Sequence, residues 1–117
     1  MCIHRYGAGV GVLDGLLYAV GGFNGLEVQK SVEVYRPSSG VWTTLPDMNC
    51  PRQNPGVVAL DGLLYVIGGN DIENIYYSVE FYDPISNTWF MKESSMNVTR
   101  YLASVVTIVK SPNFKTY

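Results

Sequence analysis

The residues of this chain that could carry chemistry are few and poorly grouped for catalysis. The one histidine, His4, stands near the start, and the two cysteines, Cys2 and Cys50, lack a Cys-x-x-Cys spacing. A histidine-based zinc site or a Ser-His-Asp triad needs a histidine with positioned partners. We therefore expect His4 to be a loop residue and both cysteines to be small reduced thiols, with no metal and no cofactor bound.

Glycines and carboxylates also favour structural roles over chemical ones. Gly7, Gly9 and Gly11 hint at a phosphate-binding loop, but the chain has no Gly-x-Gly-x-x-Gly and no helical pattern follows them. Glu33 and Glu80 stand at matching positions of two similar units, whereas an active site uses one acid–base couple once. We expect both carboxylates to make structural hydrogen bonds, and the sequence predicts that the chain is not an enzyme.

The elements that position these residues are set by a duplication with a period of 47 residues. Self-similarity at a fixed period of this length is typical of stacked structural units. The following residues all recur 47 positions later: Arg5, Gly9, Asp14, Gly15, Leu16, Leu17, Tyr18, Gly21, Gly22, Ser31, Val32, Glu33, Tyr35, Pro37 and Trp42.

Each unit contains four short apolar runs separated by turn residues. In the second unit the predicted strands cover 56–60, 63–67, 79–82 and 88–91, and in the first they cover 9–13, 16–20, 32–35 and 41–45. The Asp-Gly dipeptide between the first two runs of each unit is a strong signal for a tight hairpin. Four strands per period, without a helical segment, predict an all-β fold built from β-propeller blades.

The repeated residues have physical roles in such a blade. The Gly-Gly pairs end the second strand where no side chain fits or where φ must be positive. Trp42 and Trp89 are expected to seal one blade onto the next, with Tyr18 and Tyr65 or Tyr35 and Tyr82 nearby. The arginines are expected to brace the rim through backbone carbonyls rather than to contact a ligand. The predicted structural residues are Arg5, Gly21, Gly22, Tyr35, Trp42, Arg52, Gly68, Gly69, Tyr82 and Trp89.

This pattern resembles the kelch motif, which joins an arginine, a Gly-Gly strand end, a Glu-x-Tyr strand and a later tryptophan. The resemblance covers residues 5–98, and it departs at Arg36, where the first unit has Arg-Pro instead of Asp-Pro. More narrowly, residues 18–25 and 46–49 resemble the BTB-kelch proteins. The resemblance implies a partial kelch propeller whose two four-stranded antiparallel blades are followed by the first strand of a third.

The BTB-kelch resemblance implies a protein-interaction module, the substrate-recognition propeller of an adaptor for a cullin-RING ubiquitin ligase. In that family the cullin is bound by BTB and BACK domains upstream of the propeller, which this sequence does not include. The alternative is a cytoskeletal scaffold that binds actin. A propeller-borne enzyme resembling the copper-radical oxidases is disfavoured, because their site needs two histidines and the chain has one.

The predicted organisation leaves blade faces uncovered. We expect one repeat over 1–48, a second over 49–97, the start of a third over 98–109, and a disordered tail over 110–117. Stacked repeats bury their faces only against neighbours. The sequence therefore predicts a fragment of a larger protein, a truncated gene product, or a chain that self-associates through its bare blade faces.

Partner contacts are expected in the loops, because connecting loops on a rigid scaffold commonly carry function. By motif position these are the residues after each Gly-Gly and after each unit's arginine, with two loop tyrosines added because aromatics suit interfaces. The other interpretation is that they only solvate or pack their own loops. The candidates are Tyr6, Gly7, Phe23, Asn24, Gln53, Asn54, Asn70, Asp71, Tyr76, Tyr77, Tyr101 and Leu102.

The bulk composition limits the partners and the compartment. The net charge is −2 over 117 residues, which gives no electrostatic reason to expect nucleic acid or an anionic membrane. Its longest apolar runs are far shorter than the ~20 residues that cross a bilayer. Two cysteines do not make a disulfide framework, so a reduced, cytoplasmic protein is the expectation.

Overall fold

The computed structural model describes residues 3–71, 73–75 and 78–92, which form two sheets of four antiparallel strands. In each sheet the strands lie in sequence order. The all-β prediction of two four-stranded meanders is thus confirmed, while the predicted third-unit strand and tail, 98–109 and 110–117, lie outside the described residues. Blade 1 consists of β1 (Gly9–Leu13), β2 (Leu16–Val20), β3 (Val32–Arg36) and β4 (Val41–Thr44), and blade 2 of β5 (Gly56–Leu60), β6 (Leu63–Ile67), β7 (Val79–Asp83) and β8 (Thr88–Lys92).

The first hairpin of each blade is closed by the repeated Asp-Gly dipeptide. Asp14 and Gly15 have φ values of 51° and 77°, and Asp61 and Gly62 have 51° and 79°. Two successive positive φ values are those of a type I′ turn, whose twist matches the twist of the flanking strands. The same dipeptide therefore fixes the same strand register in both blades.

The two blades pack face to face, with β1 lying against β5. A Cβ atom added at Gly9 would lie 2.5 Å from Cγ2 of Val57, and one at Gly11 would lie 2.6 Å from Cγ1 of the same valine. Because both glycines lack a side chain, Val57 fills the space between the sheets. We call the side of a blade that is turned to the earlier unit its preceding face, and the opposite side its following face.

Aromatic rings complete the contact between the blades. The rings of Tyr18 on blade 1 and Tyr82 on blade 2 are 6.1 Å apart, and the ring of Trp89 lies 5.2 Å from that of Tyr82. Trp89 also donates its indole N–H to the carbonyl of Pro46 at 2.8 Å. Burial is the main cause that raises the pKa of both tyrosines above 10.0. The folded state therefore favours the neutral phenols of Tyr18 and Tyr82. Their contribution to the free energy of unfolding is present below pH 10 and is lost as the pH rises through the raised pKa values.

Trp42 occupies the same place in blade 1 but has no earlier blade to pack against in the described structure. Its ring lies 5.1 Å from that of Tyr35, which repeats the pair of Tyr82 and Trp89. However, Trp42 is half-buried, whereas Trp89 is buried. Identical local pairs therefore differ in burial because only one of them meets a neighbouring blade.

This difference predicts unequal costs for one substitution at two equivalent positions. Trp89→Phe removes the bond to Pro46 and part of a buried ring, so we expect it to lower the free energy of unfolding by about 1–2 kcal/mol. Trp42→Phe is expected to cost about 0.5 kcal/mol or less, as at other partly exposed sites. Urea denaturation of both variants measures the difference, and equal costs would contradict the packing of blade 2 on blade 1.

Candidate functional site

A buried ion pair lies at the base of the loops in blade 2. The guanidinium of Arg52 lies 3.0 Å from the carboxylate of Glu80, and both side chains are fully buried. Arg52 also donates to the carbonyls of Gly68, at 2.6 Å, and Ser78, at 3.2 Å. One side chain therefore connects the end of β6, the start of β7 and the segment that leads into β5.

Blade 1 repeats this arrangement with the equivalent residues 47 positions earlier. Arg5 pairs with Glu33 at 3.1 Å and donates to the carbonyls of Gly21, at 2.7 Å, and Ser31, at 2.9 Å. The sequence predicts arginines that brace the rim and glutamates that make structural hydrogen bonds, but it does not predict that they pair. The available signal was the spacing of 28 residues between arginine and glutamate, which is the same in both units.

The Gly-Gly pairs let neighbouring backbone come very close. Gly21 and Gly22 have φ values of 63° and 96°, and a Cβ atom at Gly21 would overlap the carbonyl oxygen of Arg52. The amide of Gly22 donates to that same oxygen at 2.7 Å. At Gly69, φ is 82° and an added Cβ would lie 2.8 Å from the carbonyl oxygen of Gln53. Positive φ and close approach are both present, and only glycine satisfies both.

These close approaches join the loops into one surface, which we call the loop rim. Tyr6 and Phe23 exchange two backbone hydrogen bonds of 2.8 Å, and Gln53 and Asn70 exchange two of 2.8 and 3.0 Å. The amide of Asn54 donates to the carbonyl of Gly7 at 2.7 Å, which links the two blades. The loop rim comprises Tyr6, Gly7, Phe23, Asn24, Gln53, Asn54, Asn70 and Asp71.

The other four predicted contact residues, Tyr76, Tyr77, Tyr101 and Leu102, lie outside the described residues. The eight that the structure does describe come together although they are drawn from four separate loop segments. Their exposure is uneven, because Tyr6 is 60% exposed while Phe23 and Asn70 are half-buried. The loop rim is therefore a continuous surface on which Tyr6 is the most prominent aromatic side chain.

Two of the polar rim residues hold their own loops in place. Oδ1 of Asn24 accepts hydrogen bonds from the amides of Leu26 and Glu27, both at 2.9 Å. Oδ1 of Asp71 accepts from the amides of Glu73, at 2.8 Å, and Asn74, at 2.6 Å. These Asx-type turns fix the loop tips, so Asn24 and Asp71 contribute local structure as well as surface.

Sequence reasoning missed the apolar side chains that these turns present. Leu26 is 87% exposed and Ile75 is 73% exposed, and both stand in the loops that follow the Gly-Gly pairs. An exposed aliphatic side chain at the tip of an ordered loop suits an interface. Leu26 does not lie at a repeated apolar position, since 47 residues after it stands Glu73, whereas Ile75 stands 47 residues after the aliphatic Val28. The period that located the loops therefore gave no signal for Leu26.

A shallow cleft of about 250 Å³ lies between the loops of the two blades. Its lining carries three carboxylates, of which only Asp71 is among the contact residues predicted from the sequence. The wall residues come from both blades, so the cleft depends on how the blades pack. They are Glu27, Val28, Pro51, Asp71 and Glu73.

The described residues offer little else that could act as a site. Across residues 3–71, 73–75 and 78–92, no three His, Cys, Asp or Glu side chains are grouped so as to hold a metal ion. In the same ranges no helix has the length and apolarity needed to span a membrane. The loop rim is thus the candidate site that the described structure supports best.

Comparison with known proteins agrees with this architecture. The kelch motif matches residues 4–49 and 51–94, which is most of the chain. A stretch of 37 residues is 49% identical to the kelch repeat and BTB domain-containing protein 2 of Ectromelia virus (strain Moscow). That stretch covers 32% of this chain and 7% of the viral relative. With two matched motifs that coincide with the two blades, the chain belongs to the kelch-repeat family and is a protein-interaction module of that class.

Proposed function

We propose that the loop rim is the substrate-recognition surface of an adaptor for a cullin-RING ubiquitin ligase. The observation that carries this proposal is the union of four loop segments into one surface by backbone bonds within and between the blades. The viral relative is named for a BTB domain as well as for kelch repeats. In the BTB-kelch proteins, which this chain resembles, the BTB domain holds the cullin. The role proposed for this chain is therefore to bind the substrate protein that is ubiquitinated.

The rim is suited to this role because its backbone is preorganised. Binding by a loop that must first be ordered loses affinity to the entropy of ordering, and a loop already held by hydrogen bonds avoids most of that cost. The exchanged bonds between Tyr6 and Phe23 and between Gln53 and Asn70 hold two loops in each blade. The buried pairs of Arg5 with Glu33 and Arg52 with Glu80 lie at the base of those loops, where the arginines bind backbone carbonyls at the strand ends.

The side chains of the rim fit a protein partner. Tyr6 on the rim and Leu26, at the tip of the loop that carries the rim residue Asn24, offer exposed apolar area. The cleft between the loops adds polar groups from both blades. An apolar centre with a polar surround is the usual composition of a protein interface. We therefore expect Tyr6 and Leu26 to act as binding anchors.

Tyr6→Ala combined with Leu26→Ala is expected to weaken partner binding at least tenfold, since an anchor residue contributes ~1–2 kcal/mol or more. Partners are first recovered from a cell extract with the immobilised chain and identified by mass spectrometry. Each is then purified, and its affinity for the wild-type and variant chains is measured by calorimetry.

The matched control is Ile85→Ala, because Ile85 is 97% exposed in the β7–β8 turn, at the far end of blade 2 from the rim. It should leave the affinity unchanged. If the control and the rim variant bind equally well, the rim is not the recognition surface. Sedimentation of the chain with actin filaments, abolished by the rim variant, would instead assign the rim to a cytoskeletal scaffold.

A further inference from the structure

Two blade faces with matching sequences differ sharply in exposure. Val57 on the preceding face of blade 2 is 6% exposed, whereas its repeat equivalent Val10 on the preceding face of blade 1 is 49% exposed. Leu13 on the following face of blade 1 is 6% exposed, whereas its equivalent Leu60 on blade 2 is 50% exposed. The interface between the blades joins a following face to a preceding face. The molecule has a second face of each kind, on blade 2 and blade 1 respectively, and each is exposed at these positions.

The uncovered following face of blade 2 is aromatic. The rings of Tyr65 and Phe81 are 5.6 Å apart, and those of Phe81 and Phe90 are stacked at 5.2 Å. Leu60 on β5 lies on the same face as these rings on β6, β7 and β8, so the apolar strip crosses all four strands. Leu60 and Phe90 are exposed in this strip, while Tyr65 and Phe81 are half-buried. An apolar strip with this exposure is typical of an interface.

The uncovered preceding face of blade 1 is apolar as well. Val10 and Val12 are exposed on β1, and Tyr35 and Trp42 form a half-buried ring pair beside them. Their equivalents in blade 2 include Val57, Tyr82 and Trp89, which are the side chains that blade 2 packs against blade 1. This face is thus a second copy of a surface that already binds a following face within the same molecule.

We propose that a second copy of this chain binds head to tail, with the following face of its blade 2 against the preceding face of blade 1. The occupant follows from the internal repeat, because the contact between copies uses residues equivalent to those of the contact between blades. Such a contact is heterologous, so further copies can add until a ring closes or an open chain grows.

The contact between copies is expected to pack less closely than the contact between the two blades of one chain. Gly56 repeats Gly9, but Val58 stands where the internal contact has Gly11, and Phe81 stands where it has Val34. Since an added Cβ at Gly11 would already crowd Val57, the bulkier face holds the second copy farther away. We therefore expect association that depends on concentration rather than a permanent oligomer.

The test uses two variants of the full chain, each blocking one face at an exposed position. Phe90→Arg blocks the following face of blade 2, and Val10→Arg blocks the preceding face of blade 1. Multi-angle light scattering should show the wild-type mass rising above 13.0 kDa as the chain reaches about 100 μM, well above a micromolar Kd. Each variant alone should remain at 13.0 kDa at the same concentration, because an unpaired arginine buried in the contact weakens association by about a thousandfold, to a Kd well above 100 μM.

An equimolar mixture of the two variants decides the arrangement. It should form a dimer of twice 13.0 kDa, because the intact face of each variant can still meet the intact face of the other. Ile85→Arg, a control in the same β7–β8 hairpin, should associate like the wild type. A circular dichroism melt checks that every variant is folded.

Three results would overturn the proposal. A wild-type chain that stays monomeric would mean that residues 93–117 or another protein cover the blade 2 face. Dimers formed by one variant alone would mean that like faces meet, not unlike ones. A mixture of folded variants that stays at 13.0 kDa would mean that these two faces do not bind each other.

Discussion

Arg52→Ala is expected to lower the free energy of unfolding by about 3–5 kcal/mol, the cost of removing one member of a buried ion pair. The substitution leaves the fully buried carboxylate of Glu80 without its guanidinium partner and removes the donor to the carbonyls of Gly68 and Ser78. The loss is a large part of the ~5–15 kcal/mol that stabilises a typical domain. Urea denaturation followed by tryptophan fluorescence measures it.

The control for this prediction is Arg36→Ala, because Arg36 ends β3 with an exposed side chain. Its expected effect is within about 0.5 kcal/mol. Arg52→Lys should recover only part of the loss, because an ammonium group lacks the planar fork that reaches Glu80 and two carbonyls together. An Arg52→Ala chain as stable as the Arg36→Ala chain would show that the buried pair does not hold the blade.

Gly21→Ala is the second substitution with a large expected effect, about 2–5 kcal/mol. Two costs add: a φ of 63° costs an alanine ~1–2 kcal/mol, and the overlap of its Cβ with the carbonyl oxygen of Arg52 costs ~1–3 kcal/mol. The amide of Gly22 bonds that same oxygen, so moving it away breaks a link between the blades. The measurement is the midpoint and slope of urea denaturation.

Gly15→Ala separates these two costs. Gly15 has a φ of 77°, but no atom lies within 4 Å of an added Cβ. This control therefore carries the backbone strain alone, about 1–2 kcal/mol. Equal destabilisation by the two alanines would mean that the close approach of Gly21 to Arg52 has no energetic weight.

The strands and turns could be predicted from sequence because their signals are local. Each strand is an apolar run bounded by turn residues, and the observed bounds differ from the predicted ones by at most one residue, as at Arg36 and Lys92. The Asp-Gly hairpins were equally local, since both central residues must have positive φ. Duplication strengthened every one of these signals by presenting it twice.

Burial could not be predicted in the same way, because equivalent residues have unlike neighbours. Val10 and Val57 share a repeat position and a residue type, yet one is exposed and the other fills the space beside Gly9 and Gly11. Only the order of the blades decides this. The Asx-type turns of Asn24 and Asp71 do follow the period, because these residues stand 47 positions apart. The exposed side chain of Leu26 does not, because its repeat equivalent is Glu73.

The bonds that cross between the blades have a consequence for how such a protein can change over generations. Gly22 binds the carbonyl of Arg52, and Asn54 binds that of Gly7, so each loop cluster is finished by backbone from the adjoining unit. Gaining or deleting one whole repeat therefore rebuilds the junction on either side of it. Gain or loss of a whole repeat during evolution would thus change the ligand preference abruptly. Single substitutions at the loop tips would change it gradually.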